Sequence, residues 1–529
     1  MKNRSPKALS IQKELPSQFA DQLGVEYASS IDQSHKKRNG QFFTPVEIAA
    51  FMASLSEFDR NSVRILDPGC GSGVLSCALI EKLVNSNDNL KHIELIGYET
   101  EQKLFSTAHQ SFEYLKEWVQ GNNISMNFKL HNADFVLHNA EAFKESRDLF
   151  SKEIEPFDII ISNPPYFKLS INDKRTVASK VVINGHPNIY AIFMALSAKI
   201  LKDKGELIFI TPRSYAAGSY FKKFRTYFFN LIDLQRVHLF VSRKDTFSRD
   251  KVLQETVIIK GKRSIKQEPN TNVDISSSGG LKDLQDVRLK TFSKRFIIDI
   301  HSNEKILYLP TSDHEGKIVD VFKKWTGTLH KYNIKISTGP VVAFRSWDHI
   351  KNEYDDNNNE MAPLFWMHNV KRMILEWPVI KANKGQYIAV NDRSKSILIP
   401  NKNYIFLRRF SSKDDKNRLI AAPYFCNYIN SNYIGVENKV NYIYRPNGHL
   451  ERSEVVGLCA LLNSSLFDDY FRIFNGNVNV SATELREMTL PPLDMIKEIG
   501  DKIILSNDFS ITNLNAILDK YFEPTILHE

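Results

Sequence analysis

Residues 157–170 read FDIIISNPPYFKLS, an apolar run that stops at Asn163, Pro164, Pro165 and Tyr166. Prolines fix φ and carry no N–H, so carbonyls beside them meet no competing local donor. The Asn163 side chain supplies one acceptor and the Pro164 carbonyl a second. Two acceptors converging on one point suit an NH2 group with two hydrogens. An amino group conjugated to a ring is a poor nucleophile, because its lone pair is delocalised. Accepting both hydrogens localises that pair on nitrogen and prepares it for direct attack on an electrophile. Catalysis of this kind is positioning plus electrostatics, without a covalent intermediate. The Tyr166 ring, with Pro165 beside it, offers a face on which a planar base stacks. A base inside a duplex must be flipped out to reach such a pocket. A glutamine amide of a protein, or a base in RNA, presents the same planar NH2. The motif therefore specifies the chemistry better than the substrate.

A second constellation lies upstream. Residues 65–73, ILDPGCGSG, end a strand at Asp67 and follow it with Gly69, Gly71 and Gly73. Such glycines let a backbone turn tightly and let a ligand approach it. Glu99 ends the next strand, where a carboxylate accepts from both hydroxyls of a ribose. Asp134 and Phe135 end the third, where one accepts from an adenine amino group and the other packs on the ring. Ligands of open α/β sheets bind at the carboxyl ends of strands, and all three features fall there. The expectation is a nucleoside-type cofactor. No phosphate-binding GxxxxGK[ST] loop is present, and GCGSG departs from the dinucleotide GxGxxG.

The spacing resembles the S-adenosyl-L-methionine site of Rossmann-like methyltransferases. The resemblance places Asp67, Gly69 and Gly71 along the methionine half of the cofactor. It places Glu99 at the ribose, and Asp134 with Phe135 at the adenine. Residues 40–52, GQFFTPVEIAAFM, read locally as a helix start with Thr44 as N-cap and Pro45 at N1. They also resemble the motif that precedes the glycine turn in amino-group DNA methyltransferases of the gamma arrangement, which implies that Phe43 and Thr44 contact cofactor. The order FFTP, DPGCGSG, GYE, NADF, NPPY is that of the TaqI-like adenine methyltransferases of restriction–modification systems. That group keeps an aromatic residue before the last strand, and Phe247 stands there, so Tyr166 and Phe247 are expected to sandwich the flipped base. The resemblance covers about residues 36–262. It implies transfer of methyl to adenine N6 in double-stranded DNA; a protein-glutamine or RNA amino-methyltransferase is the alternative.

These residues need elements to hold them. The chain has 529 residues, 42% hydrophobic and 25% charged, enough for more than one domain. Between residues 63 and 262, strands such as VRILD, HIELIGYE, FDIIIS, GELIFITP and LQETVIIKGK alternate with amphipathic stretches. That alternation predicts βαβ units in a mostly parallel sheet. Residues 263–286 read as a polar loop. Residues 454–474, EVVGLCALLNSSLFDDYFRIF, read as one amphipathic helix. The expected fold is α/β, a Rossmann-like methyltransferase sheet with a separate C-terminal target-recognition domain. Residues 1–38 are an N-terminal extension, 39–320 the catalytic domain and 321–529 the DNA-binding domain. In that last part Arg and Lys interleave with aromatics, which suits phosphate contacts and base readout. Its overall layout resembles PstI-type modification enzymes, whose target is CTGCAG.

The net charge of +9 is compatible with a polyanionic partner. Lys222 and Arg225 are candidate phosphate contacts, with a solvated helix face the plainer reading. The four cysteines form no CxxC pair, so no metal is expected and the thiols read as reduced. The N-terminus lacks an apolar signal region, and no run is long enough to span a membrane, which places the protein in the cytoplasm on DNA. Some 38 residues before the first motif are too few for a fused nuclease. A separately encoded restriction endonuclease is therefore the expected companion.

Overall fold

The computed structural model describes residues 14–32, 34–35, 40–144, 154–185, 187–240, 256–264, 270–284, 286–299, 302–354, 360–411, 415–475 and 480–522. The chain divides into two units: residues 1–215 with 220–306, and residues 216–219 with 307–529. The division falls at 306, earlier than the expected 320.

In the first unit β1 (Ser62–Asp67), β2 (His92–Tyr98), β3 (Ser125–His131) and β4 (Phe157–Ser162) run parallel. With β5 (Leu201–Pro212), β6 (Ile232–Phe240), β7 (Thr256–Arg263), β8 (Asn272–Ser278) and β9 (Lys290–Ser293) they form one sheet. Its order is β3-β2-β1-β4-β5-β7-β6-β8-β9. This is the open, mostly parallel sheet that the alternating pattern predicts. All six residues of β4 are buried, as a central strand covered on both faces requires. Its one charged member, Asp158, accepts from the Arg64 N–H at 2.9 Å and Lys202 Nζ at 2.8 Å.

The helices that matter for the site are α1 (Pro16–Ser29), α2 (Val46–Ser54), α3 (Val74–Ser86), α4 (Gln102–Gln120), α5 (Phe135–His138), α6 (Lys174–Ala178), α7 (Ile189–Ile200) and α8 (Lys222–Leu231). On α4 the buried residues Leu104, Ala108, Phe112, Leu115 and Val119 recur at helical spacing and form one stripe. Helix α1 packs on α3 and α4, so the segment expected to be an extension is part of the catalytic unit. Its anchor is Glu81 on α3, whose carboxylate accepts from the Ser17 N–H at 2.5 Å and the Ser17 hydroxyl at 2.9 Å.

Two local readings are corrected. Residues 272–278 lie in the expected loop, yet they form β8, parallel to β6. Val273 and Ile275 are buried there, and Ser276 and Ser278 hydrogen-bond the two nitrogens of the buried His238 at 2.9 and 3.0 Å. Burial pushes that imidazole down to about 4, which keeps it neutral. The serines look like loop residues in sequence but serve a buried ring. The expected single helix is two, Arg452–Leu462 and Ser465–Phe474. Ser464 caps the second by accepting from the Phe467 N–H.

The second unit holds a four-stranded sheet, which includes Tyr404–Arg408 and Val440–Tyr444, and a five-stranded one. It exposes Phe344, Trp347 and Ile380.

Arg225 does not face solvent. Its side chain is fully buried on α8 and donates to the carbonyls of Glu304 at 2.7 Å and Tyr215 at 3.2 Å. Lys222, on the same helix, is paired with the Glu304 carboxylate. Arg225 thus ties α8 to the chain at 304 and is no phosphate contact in this arrangement. Replacing it with Met leaves two carbonyls without their donor and removes the guanidinium 3.7 Å from the Glu304 carboxylate. Arg225→Met is expected to lower the unfolding free energy by about 3 kcal/mol in urea titration.

Candidate active site

The ends of β1, β2, β3 and β4 meet along one edge of the sheet, and a cavity of about 470 Å³ opens there. Phe43, Thr44, Gly69, Gly71, Glu99, Asp134, Phe135, Asn163 and Pro165 all border it. Residues chosen from five separate stretches of sequence are therefore brought together. Phe247 lies outside the described residues.

The floor is the glycine turn. Gly71 has φ +56°, a left-handed conformation that favours glycine, and a Cβ built on it meets nothing within 4 Å. The space above that backbone is open to a ligand. Beneath it Asp67 is fully buried. Burial pushes its carboxyl up to about 7, against the pull of the Ser76 hydroxyl, which donates to Oδ2 at 2.8 Å. The Gly69 N–H also pulls that carboxyl down, and Asp67 itself does not border the cavity.

Glu99 forms the wall. Burial also pushes its carboxyl up to about 7. The N–H groups of Thr100 and Glu101 both donate to Oε1, at 2.8 and 2.9 Å. The Gly71 N–H also lowers this carboxyl, so backbone donors hold the carboxylate at the cavity border. Asp134 is more committed than the sequence suggests. It caps α5 by accepting from the Leu137 N–H at 2.9 Å, and Arg175 lies 3.5 Å from its other oxygen. Phe135 is buried and packs against Tyr98 and Phe193. The residues present fit a nucleoside-type cofactor: hydroxyl acceptors, a capped acid, an aromatic wall and an open turn.

At the far side stands the proline motif. Asn163 Nδ2 donates to the Phe42 carbonyl at 2.9 Å and to the Thr44 hydroxyl at 3.0 Å. Tyr166 OH donates to Asn163 Oδ1 at 2.6 Å, and the Ile210 carbonyl lies 3.1 Å from the same phenol. Burial holds that phenol well above its usual range, so it stays protonated. Thr44 is not the N-cap of α2; Pro45 holds that position and no side chain caps the helix. The hydroxyl is engaged by Asn163 instead.

Sequence reasoning missed several lining residues. Arg175 and Phe193 border the cavity from α6 and α7. Arg175 sits in a polar stretch that reads as surface, and Phe193 in a helix that reads as core. Glu101 accepts from the Tyr27 phenol, from Gln41 Nε2 at 2.8 Å and from His35 Nε2 at 3.1 Å. Burial raises this carboxyl, but those bonds together outweigh it and hold it below the usual range. The network ties Tyr27, His35 and Gln41 to the cavity rim. No local signal marks it, because its members come from three segments.

The model of the Eco57I restriction-modification methylase family matches residues 44–247. The type II methyltransferase M.BsuBI of Bacillus subtilis is 32% identical over 498 residues, covering 94% of this chain and 95% of that protein. The type II methyltransferase M.PstI of Providencia stuartii is 29% identical over 505 residues, covering 95% and 96%. Among solved structures, a nuclease-deletion mutant of the Type ISP restriction-modification enzyme LlaGI shares the fold. Its TM-score is 0.51 at 12% identity, over 88% of this chain and 46% of that one. Identity at this level across both units, together with a cofactor cavity facing an Asn-Pro-Pro-Tyr turn, decides the family: the chain belongs to the type II methyltransferases of restriction–modification systems.

Proposed function

We propose that the protein methylates N6 of an adenine flipped out of duplex DNA. As a type II methyltransferase it acts on DNA and takes its methyl group from S-adenosyl-L-methionine, which supplies an electrophilic methyl on a sulfonium. Asp67, Gly69, Gly71, Glu99, Asp134 and Phe135 would hold that cofactor, with Phe43 and Thr44 at its margin. The observation that carries the reading is the fixed Asn163 amide at the cavity mouth, its nitrogen end already satisfied. Its oxygen and the Pro164 carbonyl accept the two hydrogens of the adenine amino group. Tyr166 and Pro165 supply a face for the base, and Phe247 is proposed for the other. The second unit is proposed as the target-recognition domain, with exposed Phe344, Trp347 and Ile380 on its surface. Restriction by a separately encoded endonuclease in the bacterial cytoplasm completes the reading. Among the described residues no helix is long and apolar enough to cross a membrane. The protein-glutamine or RNA alternative has less support, since M.BsuBI and M.PstI match across the second unit as well.

Asn163→Ala is expected to reduce transfer of labelled methyl to DNA by about 10³-fold or more, while calorimetric cofactor affinity stays within severalfold. Sequencing of modified bases in DNA from expressing cells should show N6-methyladenine at one motif, tested first at CTGCAG, and none with the variant. Wild-type transfer by the variant would remove Asn163 from the mechanism.

The two raised carboxyls give a pH dependence with a definite sign. The folded chain keeps protons on Asp67 and Glu99 that the unfolded chain has lost, between about pH 4 and 7. Ligand-free stability therefore falls as pH rises through that window. Cofactor affinity rises over about pH 6–8 as Glu99 ionises and becomes a better acceptor. Asp67→Asn is expected to stabilise the ligand-free protein at pH 8 by about 2 kcal/mol and to weaken cofactor binding. Glu99→Gln should flatten the affinity profile. Denaturant titration and calorimetry at several pH values check both.

A further inference from the structure

The Asn163 side chain is bonded at both ends. An amide nitrogen carries two hydrogens, and here both are used, one by the Phe42 carbonyl and one by the Thr44 hydroxyl. A backbone carbonyl can only accept. Turning the amide over would set Oδ1 against the Phe42 carbonyl, oxygen on oxygen, and would lose that bond, whereas the Thr44 hydroxyl can donate or accept. The Phe42 carbonyl therefore decides which way the amide faces, and the Thr44 hydroxyl helps hold it in place.

The oxygen end follows from the nitrogen end. Hydrogen bonds donated by Nδ2 draw charge toward Oδ1 and strengthen it as an acceptor. Thr44 is 8% exposed, so water competes little for its hydroxyl. Tyr166 OH occupies one of the two lone pairs of Oδ1 at 2.6 Å. The other remains for a second donor, and the phenol has the Ile210 carbonyl as an alternative acceptor at 3.1 Å.

The stretch that sets the amide also borders the cofactor cavity, from Gly40 through Thr44. It lies hard against the motif. The Tyr166 N–H donates to the Gly40 carbonyl at 3.2 Å. Gly40 has φ +57°, and a Cβ there would come within 2.7 Å of that same backbone nitrogen. The left-handed turn and the close approach both require glycine.

We infer that Thr44 is a positioning residue for methyl transfer: with the Phe42 carbonyl, its hydroxyl holds the Asn163 amide so that Oδ1 faces the amino group being methylated. The inference rests on the reading of Asn163 as an acceptor for that group. Thr44 acts through Asn163 and need not touch the base.

Thr44→Val keeps the shape and removes the acceptor. Cofactor affinity, DNA affinity and the single-turnover rate at saturating cofactor are measured on the full chain. The rate at saturating cofactor is expected to fall about 10- to 100-fold, with DNA affinity within about threefold of wild type; Thr44 borders the cofactor cavity, so its cofactor affinity is measured to set saturation. Retained cofactor binding shows that the variant is folded; Thr44→Ala gives the same readout if valine is not tolerated. Thr44→Ser should restore the rate to within about threefold, and Thr44→Val added to Asn163→Ala should cause no further loss. A wild-type rate in Thr44→Val, or a deficit that disappears at saturating cofactor, overturns the inference. So does an equal loss in Thr44→Ser, which would make the effect one of packing. Full activity in Asn163→Ala would instead sink the underlying reading, and that result is read independently of Thr44.

Discussion

The site depends first on the register of β1 between β2 and β4. Ile65 lies opposite Leu95 on one side and Ile159 on the other, and Asp67 opposite Gly97. Side chains alternate along a strand, so a slip of one residue would turn Asp67 to the other face of the sheet. The slip is prevented by burial: Ile65, Leu66, Ile159 and Ile160 are all fully buried, and each must find its own pocket. With the register held, the residues that follow β1, β2, β3 and β4 arrive at one edge. The active-site edge is a consequence of hydrophobic packing several residues away.

Onto that edge the fold places charge that it does not neutralise. Asp67 accepts from the Ser76 hydroxyl and is pulled down by the Gly69 N–H, and Glu99 accepts from the N–H groups of Thr100 and Glu101 at one oxygen. A buried carboxylate normally pairs with a cation or collects several donors. These two collect neutral donors, and burial outweighs them and raises both carboxyls. Asp158 on β4 collects an N–H and an ammonium instead, and so helps hold the strand in the sheet.

The catalytic turn shows the same economy in reverse. Asn163 lies at the end of β4, but what orients its amide is a segment far away in sequence, residues 42 and 44. Those residues also border the cofactor cavity. The cavity border and the hold on the Asn163 amide therefore share one short stretch of backbone, closed against the motif by Gly40.

Much of this was legible in the sequence. Apolar runs ending in Asp67, Glu99 and Asn163 announce strands, because strand burial is a local property of residue type. The parallel sheet follows from alternation with helices. Other features depended on neighbours that no local window contains. Residues 272–278 look like a loop until a buried histidine needs their hydroxyls. Residues 454–474 look like one helix until Ser464 caps a second. Arg225 looks like a surface cation until the chain at 304 covers it. Thr44 looks like a helix cap until Asn163 claims its hydroxyl. The sequence by itself determined which residues could accept, stack or turn, since those are properties of the side chains. Only the tertiary structure decided which of them meet and which way each amide and carboxylate points, since hydrogen bonds join residues by distance in space.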